Sequence, residues 1–521
     1  MSKLIKAAGA AAAATMASRV LGFLRETAYA GFYGDTAVAS AFVAAFTIPN
    51  LFRRLLGEGA LTAVFVPAFA RREREAGREA AMRGGAAVTL AVAGLCTAGV
   101  VLITLLATVM VEWVPMPLQR ELMLRLLRWM LPYAAFMCVA AVFMAMLNAR
   151  GHYFVPALGS ATMSLVMIGS VYGLAPLFGT TLEQQVMGLA VGVIIAGIAQ
   201  AAFQWPALRR EGFRFTWGNP WKDPTVRESF QRLMPATLGV AAYQFNVMAT
   251  QLIGMSQADH VLASYNYAVR LLELPQGVIG VSVATYLLTE LSRHAADKKY
   301  PEFRRMVGEG MLHLCFLNGL ASVLLIVLAE PIVRLLFEHG RFTPQATARA
   351  AMALRYLAPG LLATSLTGIV SRAFYALDDT RTPMRVGMFC LGTNVVLAFV
   401  LAFPFQQAGL AAANAVTATI NIALLLYAFT RKVPKFDLRH LSPSVARIGA
   451  LAAMAGVVGW GCHAAWESAV GHEGKARQAG AVFVPAVIAL AAYLVASLRT
   501  GVPQAHELIS VLRRKLGAAN P

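Results

Sequence analysis

The chain has 521 residues, 58% hydrophobic and 14% charged, with 45 Lys and Arg against 26 Asp and Glu for a net charge of +19. Together with a mean hydropathy of +0.61, this is too little charge to cover a water-soluble domain, so the chain reads as an all-α polytopic membrane protein. Fourteen spans of about 20 residues use roughly 280; no loop is left to hold a soluble catalytic domain, and the placement of the basic residues argues against nucleic acid as a partner.

Apolar segments run in chain order at 8–32, 37–69, 84–110, 122–148, 155–178, 186–207 and 230–254, then at 261–290, 306–328, 350–376, 384–403, 408–430, 445–466 and 478–498. The first follows Lys3, Lys6 and an alanine tract at Ala10–Ala14, a start that resembles a signal peptide but lacks Leu and continues as helix. Basic residues gather after the second span (Arg71, Arg72, Arg74, Arg78, Arg83), the sixth (Arg209, Arg210, Arg214, Lys222), the eighth (Arg293, Lys298, Lys299) and the twelfth (Arg431, Lys432, Lys435). Loops after spans one, five, seven and eleven hold none. The positive-inside rule then puts both termini in the cytoplasm. The loop 329–349 runs against it, with Arg334, Arg341 and Arg349 on the outer side; its segment Pro331–Phe337 reads as a short interfacial helix whose basic residues reach headgroups.

A weak repeat of roughly 227 residues joins RWMLP (128–132) to RYLAP (355–359) and Pro156 to Pro383, with Pro49 and Pro275 offset by 226. Spans one to six and seven to twelve thus form two six-helix lobes in the same orientation, a parallel repeat of the kind carriers use around a site at the repeat interface. Spans thirteen and fourteen are two extra C-terminal helices. The expected division is 1–220, 221–440 and 441–521, the last ending in a cytoplasmic tail.

Charged residues inside a span cost about 2.5–3.5 kcal/mol each, so those present mark a water-filled interior or a function. They concentrate in three helices: Arg19, Arg25 and Glu26 in the first; Arg53, Arg54 and Glu58 in the second; Arg270 and Glu273 in the eighth. Residues three, four and seven apart share a helix face. That spacing aligns Asn50 with Arg53 or Arg54, Gly57 and Glu58, Asn266 with Arg270, Glu273 and Gly277, and Arg19 with Gly22 and Glu26. Five arginines against three glutamates leave two positive charges, in a polar cavity awaiting an anion. Guanidinium stays protonated when desolvated and offers a fork of donors that matches phosphate. The alternative for Arg53 and Arg54 is snorkelling to headgroups from a helix end; apolar runs on both sides of Arg270, with Pro275 beyond it, argue against that for the eighth span.

Other groups point elsewhere. Asp378 and Asp379, superficially like a metal-binding acidic pair, sit in a loop of about seven residues and read as a cap and turn before the next helix. The nine histidines are dispersed, and the five cysteines (Cys96, Cys138, Cys315, Cys390, Cys462) stand singly in apolar runs. Neither a disulfide framework nor a metal site is indicated.

The segments SRVLGFLRE (18–26), PNLFRRLLGEGALTAVFVPAF (49–69) and YAVRLLELPQGVIGVSVAT (267–285) resemble the signature stretches of the MurJ (MviN) family of lipid II flippases, within a superfamily that includes multidrug antiporters and polysaccharide-lipid exporters. The resemblance covers nearly the whole chain. It implies a carrier, not an enzyme, that moves lipid II, an undecaprenyl-diphosphate-linked disaccharide-pentapeptide, across the bacterial inner membrane for peptidoglycan assembly. It also implies binding residues at Arg19, Arg25, Arg53 and Arg270, with Arg54 beside them and Glu58 and Glu273 as acidic companions, and a groove for the prenyl tail made with the last two helices. Two departures stand out: Ser40 where family members often carry aspartate, and Glu26 where an aspartate is usual. The seventh span has Gln244 and Asn246 but no carboxylate for sodium, so no cofactor is expected and coupling to an ion gradient or to the membrane potential is open. Membrane lipids and cell-wall synthesis proteins are the other expected partners. The competing readings are an exporter of another polyprenyl-diphosphate oligosaccharide and a non-transporting scaffold for cell-wall enzymes.

Overall fold

The computed structural model describes residues 3–55, 61–216, 218–277 and 290–517. The described residues contain no strand, as a membrane interior requires of a chain that does not close a barrel: every backbone donor and acceptor must be satisfied within the segment itself. The helices are α1 (Lys3–Tyr33), α2 (Ala37–Phe52), α3 (Leu61–Trp113), α4 (Leu118–Met130), α5 (Pro132–Ala149), α6 (Phe154–Gly169), α7 (Leu182–Arg210), α8 (Pro224–Met255) and α9 (Val261–Pro275). They continue with α10 (Tyr300–Val327), α11 (Ala329–Phe337), α12 (Pro344–Leu357), α13 (Pro359–Ala376), α14 (Arg381–Lys432), α15 (Leu438–Ala469), α16 (Lys475–Arg499) and α17 (Pro503–Gly517). Among the described residues, nine segments are long and apolar enough to cross a membrane. Of the charges singled out in the sequence, Arg19, Arg25 and Glu26 lie on α1, Arg53 and Arg54 just past the end of α2, and Arg270 and Glu273 on α9.

Caps explain many of the boundaries. Thr36 accepts the Ala39 N–H at 3.4 Å to start α2, Thr181 and Gln184 form a reciprocal capping box at α7, and Asp223 accepts the Thr225 N–H at 2.7 Å to start α8. Two long helices are each a pair joined end to end. In α3 the chain turns at Gly77 (φ 83°), and in α14 at Gln406 (φ 50°).

The chain forms two compact units. The first comprises residues up to Ala263 together with His339–Phe342. Its core gathers Phe65, Phe69, Cys138, Phe143, Leu208 and Phe213 from α3, α5, α7 and the loop that follows. His339–Phe342 lies against the end of α1, where the Arg341 N–H donates to the Gly31 carbonyl and Arg341 Nη1 to the Phe32 carbonyl, both at 2.9 Å. A Cβ at Gly31 would stand 2.6 Å from the His339 ring, so the ring would have to move to admit one.

The second unit comprises Ser264–Glu338 and Thr343 onward. Phe303, Phe374, Phe429 and Phe436 fill one cluster. A second cluster packs α15, α16 and the start of α17 on α10 through Phe316, Ala455, Ala489, Tyr493 and Val502. The buried Tyr493 hydroxyl donates to the Phe316 carbonyl at 3.0 Å, as a buried phenol must find a partner. The short helix foreseen at Pro331–Phe337 begins two residues earlier, at Ala329. Its Arg334 meets protein acids: Glu330 at 2.8 Å, Glu467 at 3.3 Å and Glu338 at 3.8 Å. With Arg341 Nη1 on the Phe32 carbonyl, two of the three cations that run against the charge rule, Arg334 and Arg341, are engaged by the protein.

The repeated motifs adopt matching local geometry. RWMLP breaks α4 from α5 at Leu131 (φ −54°, ψ −41°), and RYLAP breaks α12 from α13 at Ala358 (φ −58°, ψ −35°); each proline takes the first helical position, where its missing N–H costs nothing. Left-handed or extended positive-φ turns recur at the same offset, Gly151 (φ 79°) with Asp378 (φ 56°) and Gly179 (φ 144°) with Gln406.

Candidate functional site

In the first unit, α1 carries Arg19 on its exposed side and packs on α6 near Gly22, whose missing Cβ leaves 4.0 Å to the Ser164 hydroxyl. Six residues after Arg19, Arg25 Nη2 pairs with Glu26 Oε1 at 2.5 Å, the two side chains only 16% and 14% exposed. The guanidinium also lies 5.6 Å from the centre of the Tyr29 ring, a cation–π contact. Tyr29 is backed in turn by Tyr33 at 5.5 Å and edge-on by Phe42 of α2 at 5.8 Å. Arg25 Nε is buried and has no hydrogen-bond partner among the described residues. The cation is thus fixed on two sides with a donor still unused. Tyr29 was not among the residues picked from sequence, although its i, i+4 spacing from Arg25 is a signal that a search for cation–aromatic pairs would find.

In α2, Pro49 is buried within the helix, and Arg53 Nε donates to Asn50 Oδ1 at 2.7 Å, the i, i+3 relation expected from the sequence. At Arg53–Leu55 the backbone widens into a π-helical turn, a distortion that recurs at functional sites. Arg54 is half-buried. Gly57 and Glu58 lie outside the described residues, so the acid assigned to this helix has no structural account.

Ser40 of α2 is fully buried. Its hydroxyl accepts the Ala263 N–H at 3.2 Å and donates to the Asp259 carbonyl at 2.6 Å. Those two backbone groups would bond each other in an ordinary helical turn; Ser40 stands between them and completes the first turn of α9. Sequence alone gave no sign of this, because the partners are more than 200 positions apart.

In the second unit, α9 carries Asn266, half-buried, and Arg270, whose Nη1 meets Glu273 Oε2 at 2.9 Å. Tyr267 packs on Phe337 of α11, ring centres 5.0 Å apart. Pro275 closes α9 and another π-helical turn follows at 276–277. The structure therefore joins each of three arginines to a partner on its own helix: Arg25 to Glu26, Arg53 to Asn50, Arg270 to Glu273. Local acids and amides orient the forks without leaving the helix, an arrangement suited to holding an oxyanion.

The Asp378–Asp379 pair behaves as a cap. Asp379 accepts the Thr382 N–H at 3.0 Å and its hydroxyl at 2.8 Å, and meets Lys432 Nζ at 2.6 Å. Burial pushes its carboxyl up, but the Lys432 ammonium and the Thr382 donors prevail and hold it at about 2. Among the described residues, no group of three His, Cys, Asp or Glu is placed to hold a metal ion.

Comparison with known proteins bears on the whole chain. The family model described as Lipid II flippase MurJ matches residues 29–473. A probable lipid II flippase MurJ of Vibrio cholerae is 32% identical over 471 residues, 86% of this chain and 89% of that protein. Another, of Bdellovibrio bacteriovorus, is 32% identical over 508 residues, 94% of each chain. Among solved structures, a lipid II flippase MurJ in an inward closed conformation superposes with a TM-score of 0.77 at 20% identity, covering 97% of this chain and 99% of that one. An inward-facing multidrug resistance transporter of the MATE family gives 0.66 at 14% identity over 80% of this chain and 95% of that one; at such identities these two likenesses speak to the fold alone. The family model and the relatives at 32% decide the family: this chain belongs to the MurJ lipid II flippases.

Proposed function

We propose that the chain carries lipid II from the cytoplasmic to the outer leaflet of the bacterial inner membrane by alternating access, as a step of peptidoglycan assembly in which no bond is made or broken. Family membership over most of the chain supports the substrate. The observation that carries the mechanism is Arg25, clamped by Glu26 and Tyr29 with a buried donor unused. A diphosphate oxygen would satisfy that donor, and leaving a buried donor unsatisfied costs about 1–3 kcal/mol. In this reading Arg19, Arg25, Arg53, Arg54 and Arg270 bind the headgroup, while Glu26, Asn50, Glu58, Asn266 and Glu273 orient them.

The proposed architecture has fourteen spans, lobes at 1–220 and 221–440, two further helices at 441–521 and both termini in the cytoplasm. The matched breaks at Leu131 and Ala358 support the repeat, and the basic loops support the orientation. Coupling through the membrane potential is the reading favoured by fixed arginine charge: one charge crossing the full field is worth about 2.3 kcal/mol per 100 mV. Cells depleted of their own flippase and supplied with this chain should expose lipid II to an external probe. Arg270→Ala, at equal membrane abundance, should abolish that exposure. Unchanged function in Arg270→Ala would favour the non-transporting scaffold, and no exposed lipid II with well-inserted native protein would favour another polyprenyl-diphosphate sugar as cargo.

A further inference from the structure

We infer that Arg372, on α13, is a further oxyanion-binding residue of the transport path, held pointing into the span by Gly368. This rests on the transport reading above. Arg372 lies four residues before the end of α13 at Ala376, about 6 Å along the axis. An arginine so placed ordinarily snorkels to the nearby headgroups. Here the side chain runs the other way, and Nη1 donates to the carbonyl of Gly368 at 2.9 Å, a turn deeper in the span. Gly368 makes room for it, since a Cβ there would stand 3.2 Å from Nη1.

The partner set is also unlike that of the other arginines. Arg25, Arg53 and Arg270 each meet an acid or amide side chain on their own helix. Among the described residues, Arg372 has no carboxylate within ion-pair distance and only the Gly368 carbonyl as acceptor. The side chain is half-buried, so this charge is partly desolvated and uncompensated, with donors of its fork still to spend. The position 227 residues earlier is Ala145, fully buried in the first unit. An inward-turned, uncompensated guanidinium fits an oxyanion that enters the span and leaves again. Phosphate and carboxylate share that chemistry.

The test measures binding of defined lipids to the purified full chain in detergent: lipid II, undecaprenyl diphosphate and phosphatidylglycerol, each against the native protein, Arg372→Ala, Arg372→Lys, Gly368→Ala and Arg385→Ala. Losing charge-assisted hydrogen bonds should weaken lipid II binding roughly 10- to 100-fold in Arg372→Ala. Arg372→Lys should recover part of the loss and Gly368→Ala should show a few-fold loss. Arg385, an exposed cation on α14, is the control and should bind as native. Parallel loss of undecaprenyl diphosphate identifies the diphosphate as the group held; loss confined to lipid II identifies a carboxylate of its headgroup. Native affinity in Arg372→Ala, an equal loss in Arg385→Ala, or a loss confined to phosphatidylglycerol overturns the assignment. A native chain that binds neither lipid II nor undecaprenyl diphosphate overturns the transport reading, and this assignment with it.

Discussion

Replacing Ser40 by alanine removes one oxygen from the interior and breaks two hydrogen bonds, both to the first turn of α9. The Asp259 carbonyl loses a donor at 2.6 Å but keeps Gln119 Nε2 at 3.4 Å and lies on an exposed residue, so water can compensate it. The Ala263 N–H has no such recourse, because Ala263 is 1% exposed. The cost is therefore that of a lost cap, about 1–2 kcal/mol, which is a factor of roughly 5–30 in the equilibrium for opening that turn. Amide hydrogen exchange followed by mass spectrometry reads it directly: peptides covering 261–264 should exchange faster by that factor in Ser40→Ala, while peptides in α5 should be unchanged. Ser40→Thr, with the same donor and acceptor, should exchange as native. Ser40→Asp should keep the amide protected, since a carboxylate still accepts it and suits the positive end of a helix. Exchange within a factor of two of native in Ser40→Ala would refute the capping role.

The remaining predictions concern packing and acid stability. Gly456 of α15 faces Val323 of α10, and a Cβ there would lie 2.3 Å from a valine methyl, so Gly456→Ala should cost about 1–3 kcal/mol in thermal unfolding of the detergent-solubilised protein. Gly449→Ala, on the same helix with nothing within 4 Å, should cost nothing. Glu211 gathers His152 at 2.9 Å, Arg150 at 3.0 Å and Arg78 at 2.8 Å. The His152 hydrogen bond, opposed by burial and aided by both arginines, lowers its carboxyl. A lowered carboxyl stabilises the fold above its ordinary range and loses that contribution as pH falls below it; Glu211→Gln should lower stability at neutral pH and flatten the acid limb of a melting-temperature profile. Asp379, held at about 2, has the same sign. Asp379→Asn should remove the dependence between about pH 4 and 2 while the Thr382 cap persists in part; an unchanged acid limb would count against the Lys432 pair.

How much of this was legible in the sequence follows from the range of each interaction. Arg53 with Asn50, Arg270 with Glu273 and Asp379 with Thr382 are three residues apart, so helical periodicity and capping rules reach them without a fold. The breaks at Leu131 and Ala358 follow from prolines whose own geometry dictates them. Ser40 is different. The resemblance marks Ser40 only as a place where aspartate is usual, and only the return of the chain more than 200 positions later gives its hydroxyl two backbone partners. Arg334 and Arg341 misled for the same reason: counted along the chain they break the charge rule, whereas in the fold acids and carbonyls distant in sequence engage them. The left-handed turn at Gln406 is a third case, because glutamine carries no signal for positive φ, and only its offset from Gly179 marks the place.

That division bears on mechanism. A carrier that changes shape must keep its charged groups satisfied in every state it visits, and an acid on the same helix moves with its cation. In the proposed mechanism Glu26 and Glu273 stay beside Arg25 and Arg270 whichever way the helices lean. Non-local bonds such as Ser40 to Ala263 have the opposite property: they hold only while α2 and the start of α9 stay together. Mutations in the first group should then alter binding of the headgroup, and mutations in the second should alter which conformation is populated. Measuring lipid II binding and amide exchange on the same variants separates the two. Glu26→Gln should weaken binding with exchange at 261–264 unchanged, and Ser40→Ala should speed that exchange while the intrinsic contacts of Arg25 remain. If Glu26→Gln also opened the first turn of α9, the separation of local from non-local roles would fail.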